Sequence, residues 1–252
     1  MQKSVSVLIP AYNEEEVIEK TAIELLSYLN SLKKKKKIDS FEIIICINAS
    51  IDNTEKIAKE LSKKHKEIKY IHIKEKGMGI ALRKGVENAK KEIITFIGAD
   101  GEVLNEFIER AILALNDCDF ISGSRYLVKS QIRGSSTRRR ILSIGFAFLI
   151  HNFFSRKLTE VGTIKAFRKK WAQKIIKKCK RNDFSWQTEI LYYAIRDNLR
   201  IIEIPVKIVI KRESSKSKTM VIRDTLSFFK TTFYFWFLLR IYQIKKLLGF
   251  KS

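Results

Sequence analysis

Cysteine and histidine are scarce in this chain of 252 residues, with three of each. Cys46, Cys118 and Cys179 lie far apart, which excludes a cysteine metal-ligand spacing, and their odd number argues against a disulfide framework. A reducing compartment suits them. His65, His72 and His151 form no cluster and fall in no motif, so a histidine metal centre and a histidine general base both lack their raw material. Acidic residues are also in short supply, 27 against 50 Lys plus Arg, for a formal net charge of +23. That imbalance points to an anionic partner, whether nucleic acid, an anionic membrane surface or a phosphorylated substrate, or to a general enrichment in lysine. The cluster at Lys33 to Lys37 reads as a solvated loop. A hydrophobic share of 45% excludes a disordered chain and supplies one large core.

What is present alternates. Residues 4–9 (SVSVLI), 41–47 (FEIIICI), 68–73, 92–97 and 119–122 read as strands. Residues 14–32, 52–64, 79–89 and 104–115 between them read as helices. Continuous apolar strands separated by helices predict an α/β fold with a mostly parallel sheet covered on both faces. Ligands of such sheets bind where the strands' carboxyl ends open into loops. The chain runs directly into a strand pattern, so no signal peptide is expected.

The second half differs. Arg138, Arg139 and Arg140 precede an apolar run over 141–154, which falls short of the roughly 20 residues a bilayer span needs. Residues 220–250 are strongly aromatic but interrupted by Lys230 and Arg240. Both segments read as core helices or as helices lying in a membrane interface, with a span left open for the second.

One stretch carries an open question. FIGADGEV, residues 96–103, ends a strand with Gly98, Asp100 and Glu102. Taken alone it is turn chemistry, since Gly and Asp accept the backbone angles of sharp reversals. It is also the last of four strand-end stretches in a fixed order: PAYNEEE (10–16), NASIDNT (48–54), KGMGIALRKG (76–85) and FIGADGEV. ISGSRY (121–126), QIRGSSTRRR (131–140), IKAFRKK (164–170) and EIPVKIVIKRESSKSK (203–218) follow. Each is weak alone. The ordered set resembles the family-2 glycosyltransferases, and within them the dolichyl-phosphate mannose synthase branch, over nearly all of the chain up to Lys218.

The resemblance implies a GT-A fold over 1–218, including a candidate interfacial helix at 137–157, followed by a membrane-associating helix over 219–252. It implies transfer of mannose or another hexose from a GDP- or UDP-linked sugar to dolichyl or another polyprenyl phosphate, by a peripheral or monotopic protein on the cytoplasmic membrane face. Negative charge builds on the departing nucleoside diphosphate, so a divalent cation, Mg²⁺ or Mn²⁺, or cationic side chains must stabilise it. Hard cations take oxygen ligands, and Asp100 with Glu102 supplies them. The family's paired acid would stand at Gly98, so the pair is expected to have shifted to Asp100 and Glu102, which face one side of an extended backbone.

Pro10, Tyr12 and Glu14 match the stretch that frames the base and ribose, with Asn13 as a candidate helix cap. Gly79 belongs to the same nucleotide-sugar set. Asn48 stands where the family has an acid and retains hydrogen bonding without charge; Asp52 reads as a helix cap. Arg125, Arg133, Arg212 and Lys218 match positions that meet phosphates, Arg as a fork and Lys as a point charge. Asp100, Arg133 and Arg212 are the expected catalytic set. A phosphate acceptor is already anionic and requires no general base, which suits a chain poor in histidine. Thr159 and Thr163 replace the family's usual Asp and Gly. The other readings are a transferase that extends a glycan or another lipid, a degenerate homologue that only binds, and a basic nucleic-acid module. No nucleic-acid motif supports the last, since the basic residues are spread over all segments.

Overall fold

The computed structural model describes residues 3–101, 105–127, 132–133, 158–160, 164–209 and 218–248; the side chains of 132–133, 208–209 and 218–228 are excepted. The alternation read from the sequence is present. β1 (Ser4–Ala11), α1 (Ile18–Lys34), β2 (Ser40–Asn48), α2 (Thr54–Lys64), β3 (Ile68–Ile73), α3 (Met78–Asn88), β4 (Ile93–Phe96), α4 (Glu106–Ala114) and β5 (Phe120–Ser124) follow in turn. After them come β6 (Ile132–Arg133), β7 (Lys165–Arg168), α5 (Lys169–Ile176), α6 (Trp186–Arg196), β8 (Ile201–Pro205), β9 (Ile208–Val209) and α7 (Lys218–Leu247).

Seven strands form one sheet in the order β3-β2-β1-β4-β7-β5-β8, and β6 pairs with β9 in a separate ribbon. Every pairing in the large sheet is parallel except those of β7, which runs antiparallel between β4 and β5. The carboxyl ends of the six parallel strands therefore share one edge, and β7 starts at that edge.

Alternation along each strand splits the core in two. Val5, Val7 and Ile9 of β1 and Ile43, Ile45 and Ile47 of β2 pack with α1, α2 and α4. Leu8, Ile44, Cys46, Ile94 and Phe96 face the other way, onto α3, α5, α6 and α7. All three cysteines are buried and reduced.

Several boundaries move. α1 begins at Ile18, four residues later than the pattern suggested, because Glu14 to Val17 form a turn closed by Val17 N–H and Ile18 N–H on the Glu14 carbonyl. The lysine cluster is partly helical: Lys33 and Lys34 close the last turn of α1, where positive charge suits the carbonyl end of the helix. Residues 137–157, the first candidate interfacial helix, lie outside the described residues. The second exists as α7, whose Phe235 and Leu239 are buried and whose Phe235 ring lies 5.1 Å from that of Tyr192 on α6. Among the described residues no helix is long and apolar enough to cross a membrane.

Candidate active site

The loops after β1 and β2 are laced together. Asn13 accepts from Ile51 N–H at 2.9 Å through Oδ1 and donates its own N–H to Ser50 Oγ at 3.1 Å. Glu14 N–H donates to Thr54 Oγ1 at 2.8 Å, and Asn53 reaches Glu15 with both its backbone and its side-chain nitrogen. Asn13 thus ties two loops and does not cap α1. Asp52, read as a helix cap, instead accepts from Thr54 N–H at 3.0 Å and from its hydroxyl in an Asx turn one residue ahead of Asn53, the N-cap of α2. Burial pushes the Asp52 carboxyl up, but these bonds and one from Glu15 N–H hold it below the ordinary range.

Pro10 lies in β1 opposite Cys46. Tyr12, just beyond, carries Lys76 Nζ 4.0 Å from its ring centroid. Asn48 is buried and spends its amide on backbone: Nδ2 donates to the Ala11 carbonyl at 2.8 Å, and Oδ1 accepts from Gly77 N–H at 3.0 Å. An amide performs both bonds, whereas a carboxylate could only accept. That is a physical reason for asparagine at this place, and it makes Asn48 a staple of the β1, β2 and β3 loops.

Gly79, expected in the nucleotide-sugar set, is where another part of the chain packs. Its N–H and that of Ile80 donate to the Asn182 carbonyl, at 2.7 and 3.2 Å. A Cβ at Gly79 would lie 2.5 Å from the Arg181 carbonyl oxygen and 2.8 Å from Trp186 Cβ. The glycine admits the 181–183 backbone onto the start of α3. Arg83 holds that segment from the other side, through the Cys179 carbonyl at 2.7 Å and the Asn182 side chain. Glu189 accepts from Lys180 and Arg181 N–H.

Asp100 sits just past β4. Thr21 Oγ1 anchors the turn by donating to the Ala99 carbonyl at 2.7 Å, and Gly101 N–H closes it on the Gly98 carbonyl at 3.1 Å. The Asp100 carboxylate folds back over Gly98, with Oδ1 2.6 Å from where a Cβ would stand. Gly98 and the position of Asp100 therefore belong together: any side chain at 98 displaces the carboxylate. Glu102, Arg212, and the side chains of Arg133 and Lys218 lie outside the described residues. Arg133 is placed by its backbone alone, in β6.

Beyond β5, Arg125 meets a carboxylate. Its N–H donates to Glu160 Oε2 at 2.7 Å and its Nε to Glu160 Oε1 at 2.5 Å, with Nη2 on the same oxygen. Burial alone would lower the pKa of this guanidinium, and Glu160 more than reverses that. Sequence reasoning found Arg125 but missed Glu160, Glu203, Lys165, Arg83 and Lys76. Lys76, Arg83, Lys165 and Glu203 stand inside stretches already singled out, and Glu160 follows Thr159; their roles come from contacts between elements, which no local pattern carries.

The sequence and fold of the chain find counterparts among known proteins. The family model for glycosyl transferase family 2 matches residues 6–176, from β1 to α5. The chain belongs to glycosyl transferase family 2. This family-2 enzyme is 30% identical over 217 residues to dolichyl-phosphate beta-glucosyltransferase of Homo sapiens, covering 81% of this chain and 67% of that one. It is 28% identical over 228 residues to glycosyltransferase AglD of Haloferax volcanii, 88% of this chain but 35% of that longer protein. Glucosyl-3-phosphoglycerate synthase from Mycobacterium tuberculosis, solved with Mn²⁺ and UDP, shares the fold with a TM-score of 0.67 at 17% identity, over 92% of this chain and 79% of that one. The mannosyltransferase PcManGT from Pyrobaculum calidifontis, solved with GDP-mannose and Mn²⁺, shares it with a TM-score of 0.54 at 18% identity, over 83% and 58%. The GT-A architecture and glycosyltransferase activity expected from the sequence are thereby upheld.

A divalent cation fits the donor chemistry on hand. Among the described residues no group of three or more His, Cys, Asp or Glu would enclose an ion unaided. Mg²⁺ is held by one or two carboxylates together with substrate phosphates, and Asp100 offers one hard oxygen donor at the strand end.

Proposed function

We propose that this glycosyltransferase moves glucose from a nucleoside-diphosphate sugar to a polyprenyl phosphate of the dolichyl type. The observation that carries the reading is the convergence of the β1–β4 loops on one sheet edge, with the Asp100 carboxylate in the last of them. Tyr12 and Glu14 frame the base and ribose, and Asn48 fixes the loops that do so. Asp100, with Glu102, would hold Mg²⁺ or Mn²⁺, whose chemistry is to neutralise the charge of the departing diphosphate. Arg125, Arg133, Arg212 and Lys218 are assigned to phosphate groups. The acceptor oxygen is anionic from the start, so this chain's residues need only bind and orient it. Glucose is chosen from the mannose or other hexose that the resemblance implied because relatives from Homo sapiens, Drosophila melanogaster and Dictyostelium discoideum carry glucosyltransferase names.

The domain division follows the same reading, with residues 1–218 as the catalytic unit and α7 as the part that meets the membrane. Phe233, Phe237, Ile244 and Leu247 are exposed on α7, beside Lys230, Arg240, Lys245 and Lys246. Exposed aromatics with basic flanks suit a helix lying on an anionic leaflet, where each basic residue contributes about 1 kcal/mol. A peripheral protein on the cytoplasmic face is the corresponding location. Replacing Phe233 and Phe237 by Ser is expected to weaken sedimentation with anionic vesicles about tenfold or more.

The test is a panel of UDP-glucose, GDP-mannose and other nucleotide sugars with a short polyprenyl phosphate and Mn²⁺. Glucosyl-lipid should form. No lipid-linked sugar from any donor would refute the assignment.

A further inference from the structure

We infer that Glu160 is a positioning residue that sets the guanidinium of Arg125 to receive phosphate oxygens, and that Glu203 holds Glu160 in place for that purpose. The inference rests on the functional reading above for the identity of its ligand, a substrate phosphate.

The geometry is a relay of three layers. β8 supplies Glu203, whose two carboxylate oxygens both accept from Thr159 N–H at 2.9 Å. Glu203 also accepts from the Thr159 hydroxyl at 2.7 Å and from Glu160 N–H at 3.0 Å. The 158–160 segment is thus fixed by four bonds to one side chain. Ser124 locks it again, its hydroxyl 2.6 Å from that of Thr159 while accepting from Tyr126 N–H at 3.1 Å. Glu160, 3% exposed, then grips Arg125 through the backbone N–H, Nε and Nη2.

A side-on grip of this kind fixes the plane of the guanidinium and leaves Nη1 outside the pair. Some 31% of the Arg125 side chain stays exposed while its partner is sealed. The pair stands at the end of β5, on the sheet edge that carries Asp100. Fold stability does not demand such a construction, because buried ion pairs are often replaced by apolar residues at no loss. Here Glu203 is driven upward in pKa chiefly by burial, with the Glu160 charge adding to it, so two carboxylates are held together against their repulsion. A preoriented fork loses less freedom when it takes up a phosphate than a mobile one does.

The phosphate has two possible sources, the donor's diphosphate and the acceptor's monoester, and binding measurements separate them without turnover. Isothermal titration of UDP and of a short polyprenyl phosphate is run on the full chain and on E160Q, R125K and the double variant. E160Q should weaken one of the two ligands at least about tenfold, and R125K the same ligand. The double variant should lose no more than R125K alone, since Glu160 acts through Arg125. A merely structural role would instead lower both affinities and the melting temperature together, and the losses would add. The inference is overturned by that pattern, by E160Q binding both ligands like the unaltered chain, or by an unaltered chain that binds neither. Failure of sugar transfer with phosphate binding and its Glu160 dependence intact would refute the proposed function and leave this relay standing.

Discussion

Glu42 and Glu203 are both carboxylates placed within strands of one sheet, and their environments push them in opposite directions. Burial alone would raise Glu42, at the amino end of β2, but it is lowered overall by hydrogen bonds from Lys69 at 2.5 Å, Lys90 N–H at 2.6 Å and the Ser6 hydroxyl at 2.7 Å. Glu203, on β8, also accepts several bonds, yet it is raised, because burial outweighs them and Glu160 stands beside it. Glu42 has an opposite charge, Lys69, as its partner, and the carboxylate joins β1, β2, β3 and the approach to β4. Around Glu203 a like charge is kept close and a lysine, Lys165, is sealed in with both. The amino-terminal edge is organised for stability; unfavourable electrostatics are kept on the side of the sheet proposed to bind ligands.

Direct substitution sharpens this contrast. Glu42→Gln removes one acceptor from a buried, fully used carboxylate, and should cost about 2 kcal/mol, or roughly 4–8 °C in melting temperature. The deficit should vanish in acid. Glu42 has a depressed folded-state pKa, so its stabilisation is present above the unfolded carboxylate value and is lost as pH falls through the folded one. Equal stabilities of Glu42→Gln and the unaltered chain at neutral pH would break the comparison.

Glu203→Gln should cost less, about 1 kcal/mol or under, because it also removes a charge that the fold resists. Its sign with pH is opposite. A raised carboxyl keeps its proton in the folded state after the unfolded state has released one, so stability falls as pH rises between the two values. The neutral variant should lack that decline in denaturant titrations from pH 4 to pH 7.

The effect of Lys165 is read in the pH dependence alone. Fully buried, with Nζ 3.0 Å from Gln187 Oε1, it is driven down to about 7 by burial, against the opposing pull of Glu160 and Glu203. An unfolded lysine stays protonated to about pH 10. Between these values the unfolded chain holds the extra proton, so stability climbs from pH 7 towards pH 10. Lys165→Met should remove that rise, whatever it does to stability at one pH. An identical slope in both proteins would show that Lys165 is ordinary.

The same contrast explains what could be read from the sequence. The β1–β4 half was legible because each strand is a continuous apolar run and each motif follows its strand directly. Asp100 could be found because its turn interrupts such a run with Gly98 and Gly101. β7 was harder to place: KAFR has no polarity pattern that distinguishes an antiparallel strand inserted between two parallel ones. Glu160 and Glu203 escaped notice because their roles depend on contacts 35 or more residues away in sequence. The packing at Gly79 was illegible for the same reason: the chain that approaches it, at Asn182, lies about a hundred residues on.

The most direct test of the account is sugar transfer by Asp100→Asn beside the unaltered enzyme, with UDP-glucose, a short polyprenyl phosphate and Mn²⁺. The account predicts glucosyl-lipid from the unaltered chain, its loss in excess chelator, and at least about a hundredfold fall in Asp100→Asn at an unchanged melting temperature. Full transfer by Asp100→Asn, or full transfer by the unaltered chain in excess chelator, would contradict it.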